Sequence, residues 1–280
     1  MLYYTTGLTK VTMTNTEKYV GRNNKLLKGK TGVVFGVAND HSLAWFITRA
    51  LDRAGAKMAV SCQGERFVKK IEKLAAAHLQ NKPLLIPCDV QDEAQVAQLY
   101  EQIDATFGRL DFLIHSIAFA DRKDLDGSFL QTSRDGFNLA MQVSVYSLLA
   151  VTRLAVPLMR EGGSITTLTY LGSQRFMPNY NIMGVAKAAL ESSVRYLAGE
   201  LGPQGIRVNA LSAGPANTLS ARGIKGLSTF LETVGEKAPL KRNISGEEVG
   251  DTALFLCSDL SRGITGETIF VDAGYNIVGF

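Results

Sequence analysis

The sequence predicts an α/β fold with a parallel sheet covered by helices on both faces, and three observations support this prediction. Seven short apolar runs, rich in β-branched residues, are spaced between residues 31 and 273. The runs carry too few polar residues for one wet face, which indicates strands buried on both sides. Segments with helical spacing separate them. A strand, a helix and a parallel strand in alternation require right-handed crossovers, so the pattern indicates a doubly wound sheet.

The predicted elements follow one another at even intervals. The strands are TGVVFGV (31–37), KMAVSC (57–62), PLLIPC (83–88), LDFLIHS (110–116), GSITTLTY (163–170), IRVNALS (206–212) and ETIFVDA (267–273). Two helical faces are clear between them: Leu43, Phe46, Ile47 and Leu51 in the first helix, and Val96, Leu99, Ile103 and Phe107 in the third. Because no linker interrupts the series, residues 29–280 are predicted to form a single domain of the Rossmann type.

Residues 1–28 are predicted to be a polar, basic extension before this domain. The segment is rich in Thr and Asn and lacks the apolar core and cleavage site of a secretory signal. A targeting peptide is the alternative interpretation, although no Arg-rich amphipathic pattern is present. A cytoplasmic location is therefore expected.

The composition excludes several classes of function. The chain has 280 residues, of which 46% are hydrophobic and 20% charged, which is typical of a globular protein. No apolar run approaches the ~20 residues that cross a bilayer. With a formal charge of +4 and no dense basic block, binding to nucleic acid is disfavoured. Cys62, Cys88 and Cys257 fit neither a disulfide framework nor a metal site, so no metal is expected and the thiols are predicted to be buried.

The turn after the first strand, GVANDHSLA (36–44), is predicted to bind a dinucleotide. Gly36 permits a tight turn, and the helix that follows would present backbone N–H groups to a pyrophosphate. Ser42 and Ala44 stand where the common fingerprint has its later glycines, so the position of the turn supports this prediction more than the motif does. Ser42 and Leu43 are assigned to cofactor binding. A loop that only caps the helix is the alternative.

The end of the second strand bears on the choice of cofactor. An acidic residue commonly binds the ribose 2′-OH there, whereas an Arg accepts a 2′-phosphate. This chain has Gln63, followed by Glu65 and Arg66. Gln63 with a carboxylate two residues later favours NADH, while Arg66 leaves NADPH open. Solvated charges that open the next helix are the alternative interpretation of Glu65 and Arg66.

The ends of the third and fourth strands are predicted to complete the cofactor site. Carboxyl ends of parallel strands line the ligand crevice. Asp89 and Val90 are therefore expected near the adenine, and Ser116 and Ile117 lie in a small-residue stretch that lets the cofactor pass. His115 is predicted to be structural, because a lone histidine on an apolar strand is more often a satisfied core residue.

Tyr180 and Lys187 follow the fifth strand and are seven residues apart. On a helix, seven residues span ~10.5 Å and return to within ~20° of the same face, so both side chains would face one cleft. This plan resembles the short-chain dehydrogenase/reductase superfamily, but members of that superfamily commonly carry Tyr and Lys four residues apart. Here the fourth residue after Tyr180 is Gly184.

Tyr170, Tyr180, Met183 and Lys187 together resemble the site of the enoyl-acyl-carrier-protein reductases of bacterial type II fatty acid synthesis. The resemblance runs from about residue 27 to the C-terminus. It includes GVANDHSLA, Gln63, CDV (88–90), HSIAFA (115–120), LDG (125–127), TYLG (169–172), PNYNIMGVAK (178–187), GIRVNALSAGP (205–215), FLCSDLS (255–261) and GETIFVDAGY (266–275). It implies NADH-dependent reduction of the trans-2 double bond of an enoyl thioester carried on acyl carrier protein, by a homotetramer.

The resemblance also implies roles for the site residues. Hydride adds to Cβ of the thioester, and negative charge builds on the thioester oxygen, where Tyr180 supplies a hydrogen bond. Lys187 binds the ribose hydroxyls next to the nicotinamide. Tyr170 lies beside the substrate, with Ala120 and Met183 in the same pocket. For Tyr170, aromatic packing at the end of a strand is the alternative.

The segment after the sixth strand, residues 213–237, is predicted to be a lid over the ligands, and a surface connection is the alternative. In related reductases its first part meets the nicotinamide, which assigns Ala216, Asn217, Thr218, Leu219 and Ser220 to cofactor binding. Basic residues around it either guide an acidic carrier protein or are scattered solvated charges: Arg222, Lys225, Lys237, Lys241 and Arg242.

Two other functions fit the predicted fold. A carbonyl or 3-oxoacyl reductase of the same superfamily is one, against which the missing four-residue spacing argues. A non-catalytic regulator that binds a nucleotide is the other, against which Tyr180 and Lys187 argue.

Overall fold

The structure is a computed structural model that describes residues 25–216 and 227–279. Several predictions fall outside these ranges. They concern most of the extension, residues 1–24, and the middle of the predicted lid: Asn217, Thr218, Leu219, Ser220, Arg222 and Lys225.

Seven parallel strands form one sheet in the order β3-β2-β1-β4-β5-β6-β7. The chain adds β2 and β3 on one side of β1 and then returns to add β4 on the other side. This reversal of strand order creates, between β1 and β4, the crevice where such folds bind ligands. The strands agree with the predicted runs to within a few residues at each end: β1 (Thr31–Phe35), β2 (Lys57–Cys62), β3 (Leu84–Pro87), β4 (Phe112–His115), β5 (Gly163–Thr169), β6 (Ile206–Ala213) and β7 (Thr268–Val271).

Helices cover both faces of the sheet, as the sequence predicts. They are α1 (Leu43–Arg53), α2 (Glu65–His78), α3 (Glu93–Phe107), α4 (Arg122–Leu125), α5 (Arg134–Met141), α6 (Ser147–Ala155), α7 (Asn181–Leu201), α8 (Leu227–Lys237) and α9 (Gly246–Cys257), with a π-helical segment (Gln142–Tyr146) between α5 and α6.

Successive strand residues point to opposite faces, and this alternation divides the core in two. Val33 of β1 packs in the cluster that contains the buried sides of α3, α6 and α7. Its neighbour Val34 packs in the cluster that contains those of α1, α2 and α9. The doubly wound prediction is confirmed.

One helical stretch of the described residues, Arg134–Leu158, is long and apolar enough to cross a membrane by length and composition alone. Polar residues such as Asn138, Gln142 and Ser144 interrupt this stretch, so it is not the continuous apolar run of ~20 residues that the sequence analysis considered. Its most apolar window is 56% buried inside the fold. Leu148 and Val151 lie in the core against the sheet, as expected for a core helix.

Leu27 belongs to the folded part of the chain, although the sequence analysis assigned it to the extension. Its side chain is 1% exposed, and its backbone N–H donates to the Ala54 carbonyl at 3.0 Å. The apolar side chain packs beside α1. The fold therefore begins before the predicted boundary at residue 29.

Candidate active site

The turn after β1 requires glycine at position 36. Gly36 has a φ of +93°, and a Cβ there would lie 2.8 Å from the carbonyl carbon of Ser116. The backbones after β1 and β4 therefore approach each other more closely than any side chain allows. Two predicted cofactor residues, Gly36 and Ser116, are brought together at the crevice.

The N-terminus of α1 presents its backbone to this turn. Within the described residues, Ser42 stands at the N-cap but makes no side-chain cap hydrogen bond. Its hydroxyl instead donates to the Asn39 carbonyl at 2.7 Å. The Trp45 N–H donates to the Ser42 carbonyl at 2.9 Å, whereas Ser42 provides no acceptor for the amides of Leu43 and Ala44, which are available to an anion. A glycine turn followed by an uncapped helix fits a dinucleotide pyrophosphate.

Gln63 and Asp89 lie at the same edge of the sheet, after β2 and β3. Gln63 is exposed directly after Cys62. Asp89 follows β3, which stops at Pro87. Its carboxylate accepts from the Gln91 N–H at 3.0 Å, which fixes the turn where an adenine is expected.

Val90 and Ile117 were also predicted to meet the cofactor. Both side chains are partly buried and pack against the core cluster of α3, α6 and α7. Their apolar contacts hold the loops after β3 and β4 against the fold. Any contact with a ligand would involve the part of each residue that remains exposed.

Tyr170 and Tyr180 meet edge to face, with ring centroids 4.9 Å apart and planes at 69°. Tyr170 follows β5 directly, and Tyr180 is the N-cap residue of α7. Such a geometry is favourable for aromatic pairs. The two predicted catalytic tyrosines therefore share one site, and the aromatic packing considered for Tyr170 involves the other tyrosine.

Two glycines make room for the Tyr180 ring. A Cβ on Gly172 would lie 2.5 Å from Tyr180 Cδ1 and 3.2 Å from Tyr170 Cδ1. A Cβ on Gly184 would lie 2.8 Å from the Gly172 carbonyl oxygen. The turn after β5 and the first turn of α7 can approach each other only because neither glycine carries a side chain.

Burial keeps both tyrosines neutral. Burial, with a smaller effect of the Glu191 carboxylate, raises the pKa of Tyr180 above its ordinary value. Burial is also the main reason that the pKa of Tyr170 is raised, with contributions from Tyr180, Tyr275 and Asp272. A neutral phenol is a hydrogen-bond donor, so both can donate to a polar atom in the crevice.

Lys187 lies two turns into α7 and is 5% exposed. Its ammonium group donates to the Leu168 carbonyl of β5 at 2.7 Å, which fixes the side chain toward the carboxyl end of that strand. Burial lowers the pKa of Lys187 to about 8, and the Glu191 carboxylate opposes this effect. The lysine thus titrates close to physiological pH.

Three of the four residues predicted to contact substrate belong to one apolar cluster, and the fourth, Tyr170, meets this cluster through the ring of Tyr180. Ala120 and Tyr180 pack against buried Met183, in a cluster that also contains Leu125, Ala140 and Ile182. The cluster lies beside the phenol of Tyr180, so an apolar chain bound there would bring its polar end to a hydrogen-bond donor.

His115 is structural, as the sequence predicts. It is fully buried, with Nδ1 2.9 Å from Thr167 Oγ1 and Nε2 2.8 Å from Ser147 Oγ. Burial, followed by repulsion from Lys187, lowers its pKa to about 3. A neutral imidazole with both nitrogens occupied has no site left for a substrate proton.

The described parts of the predicted lid flank the site. Ala216 is the last described residue after β6, and α8 begins at Leu227. Phe230 of α8 meets Tyr275 edge to face at 6.4 Å. Because Tyr275 is close enough to raise the pKa of Tyr170, α8 approaches the site through this pair.

Two of the described basic residues near the lid, Lys241 and Arg242, have hydrogen-bond partners within the chain. Arg242 forms a bidentate pair with Glu248, with distances of 2.9 and 2.7 Å. Lys241 donates to the Glu236 carbonyl at 2.9 Å. These contacts support the interpretation as solvated surface charges for both residues.

Comparison with known proteins identifies the family. The family described as enoyl-(acyl carrier protein) reductase matches residues 36–276. The chain belongs to this family. Its relatives include the NADH-type enoyl-[acyl-carrier-protein] reductase of Bacillus cereus, which is 52% identical over 255 residues, or 91% of this chain and 100% of that protein. The NADPH-type reductase of Staphylococcus aureus is 50% identical over 90% of this chain and 98% of its own length.

Solved structures of enoyl-acyl-carrier-protein reductases share the fold. The Bacillus cereus enzyme with NADP+ and indole naphthyridinone has a TM-score of 0.89 and 52% identity, covering 91% of this chain and 99% of that one. The Anaplasma phagocytophilum enzyme with NAD has a TM-score of 0.87 and 46% identity, covering 91% and 97%. The family and fold expected from the sequence are confirmed.

Sequence reasoning missed three residues of this reductase site. Glu191 is a buried carboxylate one turn after Lys187, a spacing that could have drawn attention to it. Asn181 has a φ of +36° and donates to the carbonyls of Leu125 and Gly127, at 2.9 and 3.2 Å. Ser144 lies in the π-helical segment, which no sequence pattern indicated, and its hydroxyl accepts from the Phe119 N–H at 3.1 Å.

Proposed function

We propose that this chain catalyses the NADH-dependent reduction of trans-2-enoyl thioesters carried on acyl carrier protein, as its relatives' names describe for them. The observation that carries the proposal is the edge-to-face pair of Tyr170 and Tyr180 beside an apolar cluster, with Lys187 buried on the same helix. Such an arrangement would give the oxygen of a thioester, at the end of an apolar chain, a neutral hydrogen-bond donor.

The residues would act as follows. When bound, the reduced nicotinamide supplies the hydride that adds to Cβ of the enoyl thioester. Tyr180 donates a hydrogen bond to the thioester oxygen, where negative charge develops, and its raised pKa keeps it a donor at neutral pH. Lys187 carries the charge that binds the ribose hydroxyls. Tyr170 packs against Tyr180 and restricts its ring.

The cofactor site would be formed by the turn at Gly36, by Ser42 and Leu43 at α1, and by the loops after β2 to β4. NADH is the proposed cofactor because Gln63 and Glu65 follow β2 where a 2′-OH would be bound. Arg66 stacks over the Phe67 ring at 4.7 Å, which occupies one face of the guanidinium group. Relatives are named with either cofactor, so NADPH is included in the test.

The proposal includes a homotetramer. α5, the π-helical segment and α7 pack against one another and expose large apolar residues. They are Phe137, Tyr146, Val185 and Tyr196. Tyr196 is 80% exposed, and such exposure of a large aromatic residue beside other apolar residues is typical of a surface that another protein covers. Light scattering should give four times the chain mass of 30.3 kDa, and Tyr196→Glu should lower it.

The decisive experiment follows the loss of NADH or NADPH absorbance with crotonyl and longer enoyl thioesters. Turnover with NADH supports the proposal, and preference for a 3-oxoacyl thioester or ketone would establish the carbonyl reductase instead. Cofactor binding without turnover of any of these substrates would indicate a non-catalytic regulator.

A further inference from the structure

Glu191 is a buried carboxylate that three side chains satisfy. It lies on α7 and is 6% exposed. Its Oε1 accepts from Thr169 Oγ1 at 2.7 Å and from Ser173 Oγ at 2.6 Å. Its Oε2 accepts from Gln174 Nε2 at 3.4 Å. A buried charge is costly unless it is paired and hydrogen-bonded, so an arrangement with three donors indicates that this position has a specific task.

The three donors bracket Tyr170. Thr169 precedes Tyr170, and Ser173 and Gln174 follow it across the short helical turn Leu171–Ser173. One turn earlier on α7, Lys187 donates to the carbonyl of Leu168. Leu168 and Thr169, which are consecutive in β5, are therefore bound by Lys187 and Glu191 of α7, directly before Tyr170. The contacts fix how the Tyr170 segment lies against the helix that begins at Tyr180.

We propose that Glu191 is a positioning residue for the reductase site, which holds the Tyr170 segment in register with α7 and keeps the ammonium group of Lys187 charged. The inference rests on the proposed function, because it assigns Glu191 a task through Tyr170 and Lys187. It gives the site a charged member besides Lys187, and this member contacts neither substrate nor cofactor.

Electrostatics support the proposal that Glu191 keeps Lys187 charged. Burial lowers the pKa of Lys187 to about 8, and Glu191 acts against burial. Among the residues that the structure describes, the other titratable groups that interact with this pair are His115 on β4 and Tyr180 at the start of α7. Both are neutral near pH 7, so among these groups only Glu191 favours the charged lysine. Without it, Lys187 would lose its proton at a lower pH.

Glu191→Gln tests the charge while keeping the shape of the side chain. The readout is the dissociation constant of NADH, measured by NADH fluorescence without substrate between pH 6 and 9. In the parent, affinity should fall as pH rises through about 8. In the variant, we expect the midpoint to move down by at least about one pH unit, while affinity at pH 6 stays within about twofold. An unchanged midpoint would overturn the electrostatic role.

Ser173→Ala and Thr169→Val test the positioning role because they keep the carboxylate. Each should leave the pH midpoint of NADH binding unchanged and lower kcat for an enoyl thioester severalfold. If kcat is within about twofold of the parent in both variants and in the double variant, the positioning role is wrong. If circular dichroism shows that Glu191→Gln does not fold, the Ser173→Ala and Thr169→Val variants still test the positioning role.

A failure of the role of Glu191 and a failure of the proposed function give different results in these experiments. A parent protein that binds NADH but turns over no enoyl thioester would contradict the proposed function, while the NADH titrations would still report on Glu191 and Lys187. Conversely, an active parent whose variants behave like it would leave the function intact and remove the role of Glu191.

Discussion

The Tyr180 ring meets the Tyr170 ring edge to face, with centroids 4.9 Å apart. The two residues come from different elements, one from the end of β5 and one from the start of α7. Gly172 and Gly184 allow this approach. Because each ring restricts the other, the phenol of Tyr180 is held in one direction before any ligand binds, which is the condition for an effective hydrogen-bond donor.

Tyr180→Phe should abolish that donor while preserving the aromatic contact. Loss of one hydrogen bond to a developing oxyanion typically lowers kcat by about 10²–10³-fold, and we expect this range with crotonyl thioester. NADH affinity should stay within about twofold. Tyr196→Phe also removes one phenol oxygen from α7, but on the surface proposed for subunit contact rather than at the Tyr170 ring, so it is the matched control and should keep parental turnover. Parental kcat in Tyr180→Phe would assign the donor to another residue.

Lys187→Met should weaken NADH binding and remove its pH dependence. A lysine is charged below its pKa, so parental affinity should be full below pH 8 and decline as pH rises through about 8. Methionine has no charge at any pH, and the affinity of this variant should be low and flat from pH 6 to 9. Fluorescence titration measures both curves. Lys57→Met, at the amino end of β2, is the control and should keep the parental curve.

Gly184→Ala should displace the first turn of α7. Its Cβ would lie 2.8 Å from the Gly172 carbonyl oxygen, so the backbone must move and carry Tyr180 with it. We expect kcat at 25 °C to fall by more than the increase in the fraction of unfolded protein would explain.

Gly199→Ala is the matched control for this change on the same helix. Apart from its chain neighbours and the backbone of its own helix, no atom of the described residues lies within 4 Å of a Cβ at that position. It should stabilise the protein by roughly 0.5–1 kcal/mol through helix propensity and keep parental turnover. Equal behaviour of the two variants would show that close packing at Gly184 is unimportant.

Asn181→Gly and Asn181→Ala should separate two tasks of one residue. Asn181 has a φ of +36°, which glycine tolerates and alanine does not, and its amide clamps the carbonyls of Leu125 and Gly127. Both variants lose the clamp, but only alanine adds backbone strain of about 1–2 kcal/mol. Urea unfolding should therefore find Asn181→Ala less stable than Asn181→Gly by about that amount. Equal stabilities would mean that the backbone relaxes.

Local sequence was sufficient for the fold class and for the chemical members of the site. Short continuous apolar runs and helical faces of period 3.6 depend on neighbours in the chain, so all seven strands were predicted to within a few residues. Tyr170, Tyr180 and Lys187 were predicted as site residues through the resemblance to the enoyl-acyl-carrier-protein reductases, and their catalytic roles stay a prediction. His115 was correctly interpreted as structural from its apolar strand alone.

Only the tertiary structure decided the contacts that give these residues their properties. The burial of Lys187 results from packing of α7 on β5, and the donors to Glu191 come from segments 17 to 22 residues away in sequence. The need for glycine at positions 36 and 172 results from neighbours across the fold. Sequence by itself determined which chemistry this chain carries, since residue type and periodicity are local. The fold determined geometry and charge state, because both depend on atoms that the chain brings together from distant positions.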